Sequence, residues 1–295
     1  MTPTESDVRL DIGVLRVRQA GDPQGYPVVY FHGTPGSRLD LSFGDDMAMD
    51  QHVRLVSFDR PGYGGSTPAP FSLSSLAHDT QVIADSAGLG GFATLGQSGG
   101  GPFALAAATV GGGRVTRVGV ASGAGPFELV PGALDSLDEI DREARTHLPS
   151  DPERAARGFG AGFEKLEHLL RDGDDRAVTA AFESRMSQRD RTLMDDAVIG
   201  PSLIASMREG LRKGVQGGAW DNVAWVGAWD IDLGQVRCPV LLWYGEEDLF
   251  APPAHGEWLK QNLENAHLVR RDSEGHFGLV DHLAEVLAAL AEPFA

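Results

Sequence analysis

The sequence of 295 residues holds one cysteine, Cys238, so no disulfide can form within the chain, and nothing in it has the Cys/His spacing of a zinc site. Basic residues are scarce. The 25 Lys and Arg are outnumbered by 42 Asp and Glu, for a net charge of −17, which argues against nucleic acid and against an anionic membrane surface as partners. No apolar run approaches the ~20 residues needed to cross a bilayer. Residues 1–7 are polar and acidic, where a secretory leader would be basic and then apolar. There is no internal repeat and no low-complexity tract. The expected partner is a small molecule and the expected location is cytoplasmic; oligomeric state is left open. Cys238 stands before Pro239 at the start of a strand-like run and is expected to be a buried structural thiol.

What remains is ordinary globular composition, 42% hydrophobic and 23% charged, at a length that suits one large α/β domain or a domain carrying an insertion. Alternation of Val8, Leu10, Ile12 and Val14 predicts an edge hairpin over residues 8–18. Residues 28–31 (Val-Val-Tyr-Phe) form a continuous apolar run, as in a strand buried on both faces, and lead into His32-Gly33-Thr34-Pro35-Gly36. Residues 53–58 predict the next strand, followed by Asp59-Arg60-Pro61-Gly62-Tyr63-Gly64. Leu73, Leu76, Thr80, Ile83 and Ala87 recur at helical spacing. Further strands are expected near Ala93 and over 115–121, 239–244 and 266–270, and a closing amphipathic helix carries Leu279, Leu283, Val286, Leu287 and Leu290. Residues 127–232 lack strand runs and are rich in charge; 137–143 and 177–186 look helical. So long a block exceeds any ordinary loop. It is expected to be a cap inserted over the carboxyl edge of a mostly parallel sheet, where open α/β sheets bind ligands.

The most informative segment is Gly96-Gln97-Ser98-Gly99-Gly100, set between the apolar run at 92–95 and the small-residue helix that begins near Pro102. A sharp strand-to-helix turn lifts a serine hydroxyl clear of its neighbours, and glycines allow the backbone to crowd around it. Asp248 follows the strand at 239–244, and His276 follows the last strand, so both fall at the sheet edge that carries Ser98. Nucleophile, base and orienting acid are the three groups that acyl transfer needs near neutral pH.

Taken together, His32-Gly33-Thr34-Pro35-Gly36, Asp59-Arg60-Pro61-Gly62-Tyr63-Gly64, the serine turn, Gly245-Glu246-Glu247-Asp248 and Gly275-His276 stand in the order that resembles the α/β-hydrolase family. The resemblance covers about residues 8–126 and 233–294. It implies an α/β-hydrolase fold: a mostly parallel eight-stranded sheet with helices on both faces, a core of residues 1–126 and 233–295, and a helical cap over 127–232. It further implies that Ser98 is the nucleophile, His276 the base and Asp248 the acid that holds the imidazole. The backbone N–H groups of Gly99 and Thr34 would form the oxyanion hole, and no metal or organic cofactor is required. Gly33, Gln97, Trp220 and Trp225 are candidates for the substrate pocket. Rivals for the base are His255 and His282, and for the acid Glu246, Glu247, Asp230 and Asp232. His32 is expected to shape the oxyanion loop rather than transfer a proton. Trp220, Trp225 and Trp229 follow one another at steps of five and four, which fits core packing between cap and sheet as well as a pocket wall.

A serine at the turn disfavours the epoxide hydrolases and haloalkane dehalogenases of the same fold. Thr34 stands where proline iminopeptidases usually have glycine. The leading expectation is hydrolysis of a small, fairly apolar carboxylic ester or lactone. Carbon–carbon bond hydrolysis and iminopeptidase-like activity are alternatives, and a non-catalytic small-ligand receptor is the alternative from another class.

Overall fold

The alternating N-terminal segment folds as β1 (Thr4–Leu10) and β2 (Gly13–Gly21), an antiparallel hairpin at one edge of an eight-stranded sheet. The other strands are β3 (Tyr26–Phe31), β4 (Val53–Phe58), β5 (Phe92–Gln97), β6 (Val115–Ala121), β7 (Val240–Gly245) and β8 (Ala266–Arg271). Their order across the sheet is β1-β2-β4-β3-β5-β6-β7-β8, with β2 antiparallel to β4 and every later pairing parallel. The computed structural model describes residues 2–292; Met1 and 293–295, the outer ends of the expected core segments, lie outside the described residues.

Helices α1 (Asp45–Asp50), α2 (Leu73–Ser86) and α3 (Gly101–Ala107) connect the first strands. Between β6 and β7 come only helices: α4 (Glu139–Arg145), α5 (Pro152–Asp172), α6 (Asp175–Phe182), α7 (Gln188–Met194), α8 (Ile199–Leu211) and α9 (Gln216–Val226), with short 3₁₀ turns. Then α10 (Ala254–Asn262) joins β7 to β8, and α11 (Gly278–Ala291) ends the described chain. The run at 28–31 is continuously apolar because β3 is covered twice. Val29 and Phe31 face a cluster shared with α2 and α3, while Val28 and Tyr30 face one shared with α11. This is the expected fold: a mostly parallel sheet, helices on both faces, and a helical insert above the carboxyl edge.

Within the insert the expected helix boundaries shift by local capping. Asp138 accepts from the Asp141 N–H, so α4 begins at Glu139 and leaves Leu137 outside. Asp174 caps α6, which stops at Phe182; residues 183–185 form a 3₁₀ turn. The 21-residue α5 has no counterpart in the sequence reading, because Gly158, Gly160 and Gly162 weaken its intrinsic helix signal; it forms because one face packs on α4 and α9. Cys238 is half-buried rather than buried, and burial pushes its thiol up to about 11.

Candidate active site

At the end of β5 the chain turns sharply into α3. Ser98 takes φ of 53°, a conformation that costs a non-glycine residue free energy and persists only where neighbours impose it. The turn leaves no room for side chains around it. A Cβ on Gly96 would stand 2.3 Å from the Gly100 carbonyl oxygen, and one on Gly100 would stand 2.1 Å from that of Phe31. Ser98 is thereby presented, part-exposed, at the carboxyl edge of the sheet.

The loops after β7 and β8 bring Asp248 and His276 together. His276 Nδ1 lies 2.9 Å from Asp248 Oδ2 and 3.1 Å from Oδ1. Asp248 is 2% exposed, and its Oδ1 also accepts from the N–H groups of Phe250 and Ala251 at 2.8 and 2.9 Å. Burial pushes this carboxyl up, but the charge and hydrogen bond of His276, with the backbone donor, outweigh burial and hold it below the usual carboxylate range. An ionised acid there fixes the proton on Nδ1 and leaves Nε2 as the acceptor. Among the described residues neither Nε2 nor the Ser98 hydroxyl has a hydrogen-bond partner, and both residues border one cavity of ≈ 510 Å³.

The loop after β3 lies beside Ser98. The N–H groups of Thr34 and Gly99 donate to no protein acceptor among the described residues. His32 holds the loop: its Nδ1 donates to the Gly33 carbonyl at 2.7 Å and its Nε2 accepts from the Arg60 N–H at 3.4 Å. Burial, then the Arg60 charge, keep this imidazole well below its usual range and hence neutral. Asp40 accepts from the Gly33 N–H at 3.1 Å and from the Tyr30 hydroxyl at 2.8 Å.

Two acids of the insert reach into these loops. Asp221 on α9, fully buried, pairs with the equally buried Arg60 through Nε and Nη2 at 2.7 and 2.5 Å. It also accepts the hydroxyls of Thr34 and Tyr63, each at 2.6 Å. Asp190, in the first turn of α7, accepts from the backbone N–H of His276 at 3.1 Å and of Phe277 at 2.9 Å. The cap helices therefore grip both the loop beside Ser98 and the loop that carries the imidazole. Phe250 completes the wall, its ring 4.9 Å from that of His276, with Arg185 of the insert 4.8 Å above the Phe250 ring.

Of the pocket candidates, Gly33, Gln97 and Trp225 border the cavity with Thr34, Ser98 and His276. Trp220 does not. Both tryptophans pack against the apolar residues between sheet and insert, but Trp220, five residues before Trp225 on α9, stands outside the cavity lining, a correction to its place among the pocket candidates. The rival bases are engaged elsewhere: His255 Nδ1 accepts from the Gly125 N–H at 2.9 Å and burial lowers it to about 4, while His282 bonds Glu274 at 2.6 Å. Glu246 pairs with Arg270, Asp230 accepts from Ser74, and Asp232 caps a 3₁₀ turn. Sequence reasoning passed over Asp190, Asp221, Asn222, Arg185 and Phe250. A Ser187-x-x-Asp190 capping pattern was there to mark a helix start; nothing local foretold that the same carboxylate would hold the His276 loop.

Among the described residues no group of three or more His, Cys, Asp or Glu is placed to hold a metal ion, and no helix is long and apolar enough to cross a membrane. Residues 26–283 match the family profile of the alpha/beta hydrolase fold. The chain is 27% identical over 296 residues to the poly(3-hydroxyalkanoate) depolymerase of Ectopseudomonas oleovorans, covering 97% of this chain and 90% of that one. Among solved structures it superposes on the enol-lactonase from Burkholderia xenovorans LB400 with a TM-score of 0.65 at 18% identity, over 96% of this chain and 97% of the other. It superposes on the bromoperoxidase from Bacillus anthracis with a TM-score of 0.70 at 18% identity, over 97% of each.

Proposed function

The chain belongs to the alpha/beta hydrolase fold family, and on that premise we propose that it is a serine hydrolase that cleaves a small, fairly apolar carboxylic ester or lactone through an acyl-enzyme. The observation that carries this reading is that a positive-φ Ser98 borders the same cavity as a His276 whose Nδ1 is bonded to buried Asp248. Relatives that include a depolymerase, esterases and lactonases support ester chemistry as the reaction class.

In this mechanism Ser98 Oγ attacks the carbonyl carbon and His276 Nε2 takes its proton. Asp248 keeps the Nδ1–H tautomer and balances the imidazolium that forms. The free N–H groups of Gly99 and Thr34 receive the developing oxyanion; losing one such donor typically costs about 3 kcal/mol of barrier. His276 then returns the proton to the departing alcohol, and a water molecule activated by the same nitrogen hydrolyses the acyl-enzyme. The serine–imidazole hydrogen bond forms once substrate is bound, as in many hydrolases whose ligand-free geometry is loose. The insert, residues 127–232 in this reading, roofs a cavity whose volume falls in the range of small-molecule sites.

The test is colour release from p-nitrophenyl acetate and butyrate by the purified protein and by Ser98→Ala. Turnover by the parent that is lost in the variant is the expected result. Absence of turnover, together with a ligand-dependent rise in melting temperature, would instead point to a binding protein on this fold.

A further inference from the structure

Buried polar side-chain atoms almost always find a partner. Two that do not, Asn222 Oδ1 and Trp225 Nε1, belong to residues that stand three apart on α9 and both border the cavity over Ser98. Spacing of three puts them on one helix face. Asn222 is 5% exposed, so solvent reaches its oxygen poorly. A Cβ built on Gly99 would lie 3.3 Å from Trp225 Nε1, which sets the indole N–H beside the residue that follows the serine. The rest of this stretch is well satisfied. Asp221 makes four hydrogen bonds, and the Trp229 indole donates to the Trp225 carbonyl at 3.1 Å. The orphaned pair is also complementary, one donor and one acceptor.

We propose that Asn222 and Trp225 read a hydroxyl or amide group that the substrate carries next to its scissile carbonyl, Trp225 Nε1 donating to that group and Asn222 Oδ1 accepting from it. A single hydroxyl satisfies both, since it accepts and donates; a secondary amide does so with its C=O and N–H. The inference rests on the serine hydrolase reading and narrows it, from apolar esters at large to esters or lactones bearing such a group on the acyl side. Sites built to hydrogen-bond a substrate O–H or N–H reject the analogue that lacks it, because their own polar atoms are then left unpaired.

Matched ester pairs test this. Ethyl 3-hydroxybutyrate is compared with ethyl butyrate, and methyl N-acetylglycinate with methyl 4-oxopentanoate, which keeps the carbonyl but lacks the N–H. Each kcat/KM is corrected for the ester's own rate with hydroxide. The wild type is expected to prefer the donor-bearing member of one pair by about tenfold or more, and which pair shows it separates hydroxyl from amide. In Asn222→Leu that ratio should fall to about one; Trp225→Phe should lower it in the hydroxyl pair, and in the amide pair, where both members keep the carbonyl, should lower both rates together. A wild-type ratio near one for both pairs overturns the proposal without any variant, and so does a ratio that survives both substitutions. If a protein that turns over p-nitrophenyl butyrate through Ser98 cleaves none of the four esters, the proposal falls; if it cleaves neither these nor the p-nitrophenyl esters, it is the hydrolase reading itself that fails.

Discussion

The floor of the cavity and its roof are built by different forces. On the floor, Ser98, Asp248 and His276 sit where strands end, and their positions follow from backbone geometry: a positive φ, glycines with no space for a Cβ, and a carboxylate held by two backbone N–H groups. The roof is a set of helices placed by side-chain packing, such as Phe159 and Leu170 on α5 and Val178 on α6. Yet at Asp190 and Asp221 the roof supplies hydrogen bonds that the floor cannot make for itself. The insert is therefore more than a cover; at two points it is part of the scaffold that holds the loops carrying Thr34 and His276.

The sharpest way to break this contrast is on the floor. His276→Ala should lower hydrolysis of p-nitrophenyl butyrate by about 10⁴-fold or more with the fold retained, read by initial rates and circular dichroism; a loss of less than ~10-fold would remove the imidazole from the chemistry. The next largest effect belongs to the roof. Asp221→Ala leaves Arg60 charged and buried without its partner, which costs about 3–5 kcal/mol and should lower the melting temperature by about 10 °C. A drop of under ~2 °C would mean that α9 does not anchor the loop beside Ser98. Asp190→Ala acts one step from the chemistry, by freeing the backbone of His276. It should lower kcat by about 10–100-fold, with KM changed less, and Asp190→Asn, whose amide oxygen still accepts, should recover part of the loss. Equal effects on kcat and KM would assign Asp190 to substrate binding instead.

The smallest effect concerns Asp141, an acid of the roof that borders the cavity. Burial, with Asp138 adding to it, raises its carboxyl from 3.8 to about 6. A raised acid binds its proton more tightly in the folded state, so folding is favoured below about pH 4 and that advantage is lost as pH climbs through about 6. Asp141→Asn should then stabilise the protein at about pH 8 by about 1 kcal/mol, after allowance for solvent screening of a part-exposed group, and do nothing near pH 4. Thermal melts at the two pH values decide it; a pH-independent change would mean the carboxyl is not strained by its surroundings.

This division also explains what could be read from the sequence. The sheet was legible because β3 and β5 are short apolar runs bounded by turn residues, and the serine turn because glycines must flank it. Asp248 and His276 could be placed at the same edge because parallel strands all end there. The roof was not legible in this way. The first half of α5 carries three glycines that mask its periodicity, and Trp220 and Trp225 look alike in sequence although only Trp225 borders the cavity. Asp190 and Asp221 touch residues 86 and 161 positions away, and no local pattern reports a contact of that span.

The shared hold of Asp221 on Thr34, Tyr63 and Arg60 bears on how such an enzyme is re-engineered. Swapping in a foreign lid to change selectivity would strip a buried guanidinium of its counter-charge and leave the threonine hydroxyl unmoored. A chimaera needs an acid transplanted at the equivalent spot on the incoming helix, or Arg60 replaced in the same step.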